Sequence, residues 1–469
     1  MAGGHRRLSL PHALAVVTGA LLGVGALYIP ERVETLAGPM TPVGFLVATA
    51  GALALTVGYA TFLSGPLGDR SAGAYLHLSR TWRSRAVGFF TVWPKPAVYA
   101  ALLALLAQYL ARLLALPVAQ DTVALVVLGG LLALHLAGPA VVGRLGLLLS
   151  GGFTLFVLVL AAAALSVVVP SNFVPLLPTP VLRDQPVLSL GRGALVALFG
   201  FVGFEACVGL AGEVESPRET LPRALLGGVT GVGLLVTLMA FVTLGVIPWA
   251  RMIFATVPFV DAAASGLDVA ATALVTPGLV LATLAALVAL SWAPTRTLAG
   301  LGEVVPPLAH TNRFGAPDVA SLVVFGLAGT LVFVDAVFVG LFLVVPGLLV
   351  LYVAHGLTTA ALPVVNPDLY RACAFRLSPR LLAVCGLSGA GLTALLLWQA
   401  LTLDPVVVLG YTRVGPTLTG PVADPLVRRP LESAVPALVG WETLGVLVYV
   451  AARDYRAEVG VELEPLTRF

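Results

Sequence analysis

The sequence is poor in charge. Only 10% of its 469 residues are Asp, Glu, Lys or Arg, while 59% are hydrophobic. A soluble domain needs roughly 25% charged residues to cover its surface, so lipid must solvate much of this chain. Lysine is nearly missing: Lys95 is the only one among 26 basic residues. Long hydrophilic stretches are missing too. The gaps between apolar runs reach about 20 to 30 residues, too few to bury a core of their own. That excludes a separate soluble domain and leaves little room for enzyme chemistry outside a bilayer. Cys207, Cys373 and Cys385 form neither a metal-ligand spacing nor a disulfide framework. No G-x-x-x-x-G-K-[ST] and no H-E-x-x-H occurs, which disfavours an ATP-driven pump and a zinc intramembrane protease. The net charge of +3 is small and spread over loops, so nucleic acid is not an expected partner. No metal or cofactor is expected.

What the chain has is a series of apolar runs near the roughly 20 residues that cross a bilayer. They are continuously apolar rather than alternating, which favours helices over a barrel. We expect an all-α polytopic membrane protein with about 12 spans. They are 10–30, 41–63, 86–115, 121–142, 145–169, 192–212, 224–247, 271–295, 319–335, 337–362, 381–402 and 435–452. The Pro- and Gly-rich segment 403–434 reads as a loop. The start, "HRR" followed by "LSLPHALAVVTGALLGVGALYI", has the look of a signal peptide. It is long enough to span and many spans follow, so it reads as a retained span 1. Orientation follows Arg and Lys in the loops. With both termini cytoplasmic, inside segments hold 17 of the 26 basic residues and outside segments 8, Lys95 being the remaining one. The expectation is therefore a multi-pass protein of the cytoplasmic membrane.

Two spans carry glycines that weaken a helix at mid-depth. Span 1 contains "GALLGVGALYIP", with Gly19, Gly23 and Gly25; span 6 contains "FGFVGFEA", with Gly200, Gly203 and Glu205. Each interior Gly costs roughly 1 kcal/mol relative to Ala. Broken backbone must line a cavity or be buried in protein. Paired interruptions in corresponding places of two halves point to a transporter binding site. Unwinding at Gly23–Gly25 frees N–H groups at a helix N-terminus, which suits a carboxylate. Unwinding at Phe199–Gly203 frees carbonyls, which suit an ammonium. Together they make a dipolar receptor for a zwitterion. The alternative is close helix packing through small residues, a pattern that Gly19-xxx-Gly23 fits outright.

These motifs resemble the amino acid–polyamine–organocation (APC) superfamily of permeases. "GALLGVGALYIP" is similar to its helix 1 motif, G-x-I-I-G-S-G-I-F. "FGFVGFEACVGLAGEVESPRETLPRALL" is similar to its helix 6 signature, with Glu213, Ser216-Pro217-Arg218 and Leu221-Pro222-Arg223-Ala224 in the tail. "SAGAYLHLSR" and "APTRTLAGLGEVVPPLA" resemble the family's motifs after helices 2 and 8. The resemblance covers about residues 10–315 and is weaker beyond. It implies a LeuT-type fold in one transport domain over 1–469. That fold has two inverted five-helix repeats, 10–169 and 192–362, with spans 1 and 6 broken, and two further helices in 381–452. It also implies alternating access and an amino acid or related amine as substrate, driven by a proton gradient or by exchange; the alternatives are a sodium-coupled or ion-only carrier of the same fold, or a non-transporting membrane protein that kept the fold. Carried over residue by residue, Gly23, Val24 and Gly25 would meet the substrate carboxylate. Phe199, Gly200 and Val202 would offer carbonyls to the amine, and Phe201 and Phe204 would line or gate the pocket. Departures are plain: Val24 replaces the family's Ser, Phe153 stands where some proton-coupled relatives carry Lys, and Ala72 replaces a Gly.

Four polar residues are candidates for coupling or gating. Lys95 lies in "VWPKPAVYA", between two prolines that strip backbone hydrogen bonds and free carbonyls near Trp93. It is either a titratable cation of the site or a snorkelling anchor at the headgroups. Glu205 is either a protonatable coupling group or a buried acid that holds the break. Glu213, with Arg218 and Arg223 behind it, is either an inner gate or a solvated cluster. Ser291 could help coordinate a cation. His135 and His355 read as lone packing histidines.

Overall fold

Many helices in this chain open on proline, whose missing N–H falls where a helix has no acceptor for it and whose fixed φ suits a first turn. In the computed structural model, the structure describes residues 8–23, 27, 30, 33–34, 36–177, 183–252, 255, 257–402, 430–460, 463 and 466. The helices of the first half are α1 (Leu10–Leu21), α2 (Thr41–Leu63), α3 (Ala74–Thr81), α4 (Arg85–Val92), α5 (Pro94–Leu114), α6 (Gln120–Leu136), α7 (Pro139–Leu165) and α8 (Pro186–Phe199). Then come α9 (Pro217–Val246), α10 (Trp249–Met252), α11 (Pro258–Leu267), α12 (Thr272–Leu290), α13 (Trp292–Gly300) and α14 (Asp318–Phe333). The last are α15 (Val337–Val365), α16 (Pro367–Ala372), α17 (Pro379–Thr402) and α18 (Pro430–Val459). Among the described residues there is no strand, only a parallel bridge between Leu8 and Val214. Eight helical stretches among them are long and apolar enough to cross a membrane. Leu10–Leu21, Gln120–Leu136 and Asp318–Phe333 are shorter apolar helices.

Several boundaries differ from the sequence expectation. The helices expected at 145, 192 and 224 begin at Pro139, Pro186 and Pro217. Of these, only α9 opens on a polar first turn, Pro217-Arg218-Glu219-Thr220; α7 and α8 open on apolar residues, Pro139-Ala140-Val141-Val142 and Pro186-Val187-Leu188, where hydropathy marks no boundary. The span expected at 271–295 does not stop there; it is interrupted at Ser291 and continues as α13 to Gly300. Spans 9 and 10 are separate, divided where Asp335 takes φ +53° and ends the helical path. The last helix opens at Pro430 rather than 435, and residues 403–429 of the expected loop lie outside the described residues.

α1 packs against α7, α9 and α12; α2 packs against α8, α9 and α17; α15 packs against α5 and α17. On α7, Leu148 and Leu155 are exposed at 71% and 63% while Phe153, Val157 and Leu160 are buried. A helix with one apolar face inward and another apolar face outward is matched to lipid, not water.

Candidate functional site

The sixth span comes apart where its glycines are. α8 ends at Phe199, and a 3-10 helix begins at Phe204 and runs to Leu210. Between them Gly203 takes φ +102°. Side chains rarely adopt that region, and a Cβ there would also sit 3.0 Å from Leu290 Cδ2. The turn's own hydrogen bonds end on the carbonyls of Ala197, Leu198, Phe199 and Gly203, not on those of Gly200, Phe201 or Val202. The first span also stops early. α1 ends at Leu21, Leu22 and Gly23 bend away, and Leu27 is helical again. Val24 and Gly25 lie outside the described residues. The two breaks share one neighbour: a Cβ on Gly23 would lie 2.8 Å from Ala286 Cβ of α12, the helix that also presents Leu290 to Gly203. Close by, Gly203's position is 3.9 Å from Ala20 Cβ by the same measure. At the other end of the two segments, Leu8 N–H donates to the Glu213 carbonyl at 3.2 Å and Glu215 N–H to that of Leu8 at 2.9 Å. α1 and 204–215 therefore run side by side in opposite directions.

Glu205 sits just beyond the break, 1% exposed, and is saturated with partners. The Tyr99 hydroxyl donates to its Oε1 at 2.7 Å. Lys95 Nζ lies 3.3 Å from the same oxygen. The Tyr352 hydroxyl donates to Oε2 and accepts the Gly203 N–H at 3.0 Å. Thus the N–H freed by the break is held by a tyrosine that also holds the acid. Lys95 is 5% exposed and turns to Glu205, not to a helix end. Pro94 and Pro96 lie on either side of it at the start of α5, and the preceding Trp93 carbonyl accepts the Trp441 indole N–H at 3.0 Å.

A small cavity of about 10 Å³, room for about one water, adjoins the break between α2, α8, α15 and α17. Phe201, Val202, Phe204 and Tyr352 form its inner wall. Phe201 and Phe204 are buried, whereas Phe199, Gly200 and Val202 are half-buried.

Glu213 pairs with Arg296 at 3.0 Å. Arg218 and Arg223 go elsewhere, to Asp69 at 2.6 Å and Glu219 at 3.4 Å. Burial pushes Glu213 above its ordinary value, opposed by the Arg296 guanidinium. Glu303 bridges Arg80 at 2.9 Å and Arg85 at 2.6 Å. The Ser291 hydroxyl is engaged by the Val288 carbonyl and by His135 Nε2, each at 2.8 Å.

The sequence reading did not single out Tyr99, Tyr352 or His77. His355 is not alone: its Nε2 lies 3.0 Å from His77 Nδ1. The pair is sandwiched, His355 stacked on Tyr59 and His77 on Phe62. The available signal was spacing. Tyr99 stands one turn beyond Lys95 and Tyr352 three residues before His355, each on a shared helix face.

The sequence has counterparts among known proteins. A family model described as "Amino acid permease" matches residues 8–406. The chain belongs to the amino acid permease family. With its apolar helices, the permease is a multi-pass membrane protein. It is similar to "Cationic amino acid transporter 9, chloroplastic" of Arabidopsis thaliana, 27% identical over 272 residues. That match covers 53% of this chain and 46% of the relative, so the permease aligns with just under half of the relative's length.

Proposed function

We propose that this permease is a secondary active transporter of amino acids or related small amines, working by alternating access across the cytoplasmic membrane. The carrying observation is the break at Gly200–Gly203, beside the end of α1 and next to a saturated buried acid. Backbone left out of a helix inside a bilayer needs polar company, and a zwitterion supplies both signs. In this reading Gly23, Val24 and Gly25 take the carboxylate and Phe199, Gly200 and Val202 the ammonium. Phe201 and Phe204 close over the side chain. Residues 10–169 and 192–362 act as two inverted repeats of a LeuT-type fold, with 381–452 added, and both termini are cytoplasmic. The Glu213–Arg296 and Glu303–Arg80 pairs then form an inner gate. The Lys95–Glu205 pair couples transport to protons, because a proton on Glu205 removes the charge that holds Lys95.

A sodium-coupled reading draws on one observation. The Ser150 hydroxyl is buried without a hydrogen-bond partner among the described residues. A Cβ on Gly19 would lie 2.2 Å from it and 3.1 Å from the Ala285 carbonyl, so oxygens gather beside α1. The Arabidopsis relative's name suggests basic amino acids as one substrate class.

Proteoliposomes loaded with an amino acid mixture separate these readings. Uptake of labelled amino acid driven by an inward proton gradient or by internal amino acid supports the first. Uptake that requires external sodium supports the second. No uptake of any amino acid under any gradient overturns the transport reading.

A further inference from the structure

We propose that Lys95 makes this a carrier of net-neutral amino acids with apolar side chains, by standing as a built-in cation on the acid of the helix break. The inference rests on the transport reading above and names its substrate class.

Charge and occupancy argue first. As an ion pair, Lys95 and Glu205 leave the cluster without net charge. Both carboxylate oxygens of Glu205 are taken: Oε1 by the Tyr99 hydroxyl at 2.7 Å and Lys95 at 3.3 Å, and Oε2 by Tyr352. Lys95 is 6% and Glu205 0% exposed at the side chain, so water does not screen the pair. A basic substrate side chain arriving here meets a cation and finds no open acceptor on the acid. A buried charge without its own partner is strongly disfavoured. A zwitterion with an uncharged side chain needs only the backbone of the breaks.

The cavity argues second, and independently. Its wall includes Leu55, Leu198, Phe201 and Leu349, and its polar members are Tyr352 and Thr393. The hydroxyls of those two are already committed. Thr393 donates to the Gly389 carbonyl at 2.7 Å, and Tyr352 serves Glu205 and Gly203. The cavity touches the break through Phe201 and Val202, so the wall beside the break is apolar. A guanidinium or ammonium has nothing there to pair with, whereas an uncharged apolar side chain needs no partner.

The test is counterflow into proteoliposomes containing the full chain, run in parallel with labelled leucine and labelled arginine. Unlabelled leucine, methionine, phenylalanine, arginine and lysine serve as competitors. The wild type is expected to favour the apolar group at least about tenfold, equivalent to about 1.4 kcal/mol. Lys95→Met opens Glu205 and is expected to move that ratio about tenfold or more toward arginine and lysine, while Lys95→Arg keeps it. A wild type that prefers basic substrates overturns the inference, as does a folded Lys95→Met with an unchanged ratio. Leu55→Trp supplies a reading that leaves the ion pair intact. It is expected to lose leucine and phenylalanine while keeping glycine and alanine, and unchanged phenylalanine transport overturns the cavity assignment. The two levels separate cleanly. A wild type that exchanges no amino acid defeats the transport reading itself, and one that exchanges amino acids but prefers basic ones defeats the inference alone.

Discussion

Two sets of ion pairs in this permease are built from the same chemistry and differ in their surroundings. Lys95–Glu205 is enclosed at a helix break, with Tyr99 and Tyr352 filling the acid's remaining lone pairs. The pairs near the ends of the helices grade outward. Arg296–Glu213 is 5% and 19% exposed, and Arg218–Asp69 is 51% and 34% exposed. Water can replace a lost partner at the last pair and cannot at the first. The comparison teaches that a membrane protein's ion pairs are to be ranked by what remains when one partner leaves, not by distance. By distance alone Arg218–Asp69 at 2.6 Å would outrank Lys95–Glu205 at 3.3 Å.

Breaking the enclosed pair is the largest expected effect. Glu205→Gln leaves Lys95 buried without a counter-charge and is expected to cost about 3–5 kcal/mol, read as a fall in thermal unfolding temperature. Adding Lys95→Met to Glu205→Gln should recover part of that loss. A double variant as unstable as the sum of the two singles would mean that the pair is not coupled.

Next comes the intermediate pair. Glu213→Gln strands Arg296, whose Nε and Nη1 have no hydrogen-bond partner among the described residues. The expected cost is about 1–3 kcal/mol. Because Arg296 also rests on Trp292 at 5.1 Å, Arg296→Ala should cost at least as much as Glu213→Gln. The reverse order would show that stacking contributes nothing.

A smaller, pH-dependent effect is expected where α3 meets α15. His77–His355, Trp82–Thr358 at 2.9 Å and Asn366 to the Arg80 carbonyl at 3.0 Å tie these helices. Burial, then His355 and Lys95, hold His77 well below its ordinary 6.5. The folded state thus binds a proton less readily than the unfolded one. The stability this contributes is present above about pH 6.5 and is lost as the pH falls below it. A second proton would also set two N–H groups against each other. The unfolding temperature should fall between about pH 7.5 and 5.5, and His77→Phe should flatten that slope. An identical slope in the variant would remove His77 from the account. The smallest effect belongs to Arg218→Ala, expected within about 1 kcal/mol of wild type; a larger loss would undo the ranking.

Much of this was legible in the sequence, and the rest was hidden for physical reasons. Apolar runs locate helices because lipid demands them, and the paired glycines of "FGFVGFEA" mark the place where α8 gives way at Phe199. Helix starts differ from the expectation by several residues, because Pro139 and Pro186 open helices inside apolar sequence that marks no boundary and Pro217 opens one on a polar turn. The partners of Glu205 were hidden more deeply. A tyrosine inside an apolar run is compositionally ordinary, and only the fold brings Tyr99 and Tyr352 to one carboxylate. The same holds for Arg296: chain proximity suggested Arg218 and Arg223 for Glu213, and α13 supplied the partner instead.

The central claim is that a substrate sits against the opened backbone at Gly200–Gly203. Its most direct test is Val202→Cys, treated with a small methanethiosulfonate reagent against a background in which Cys207, Cys373 and Cys385 are Ser or Ala. The account predicts labelling that an amino acid slows in a concentration-dependent way. Labelling at the same rate with and without every amino acid tried, in protein that still exchanges amino acids, would contradict it.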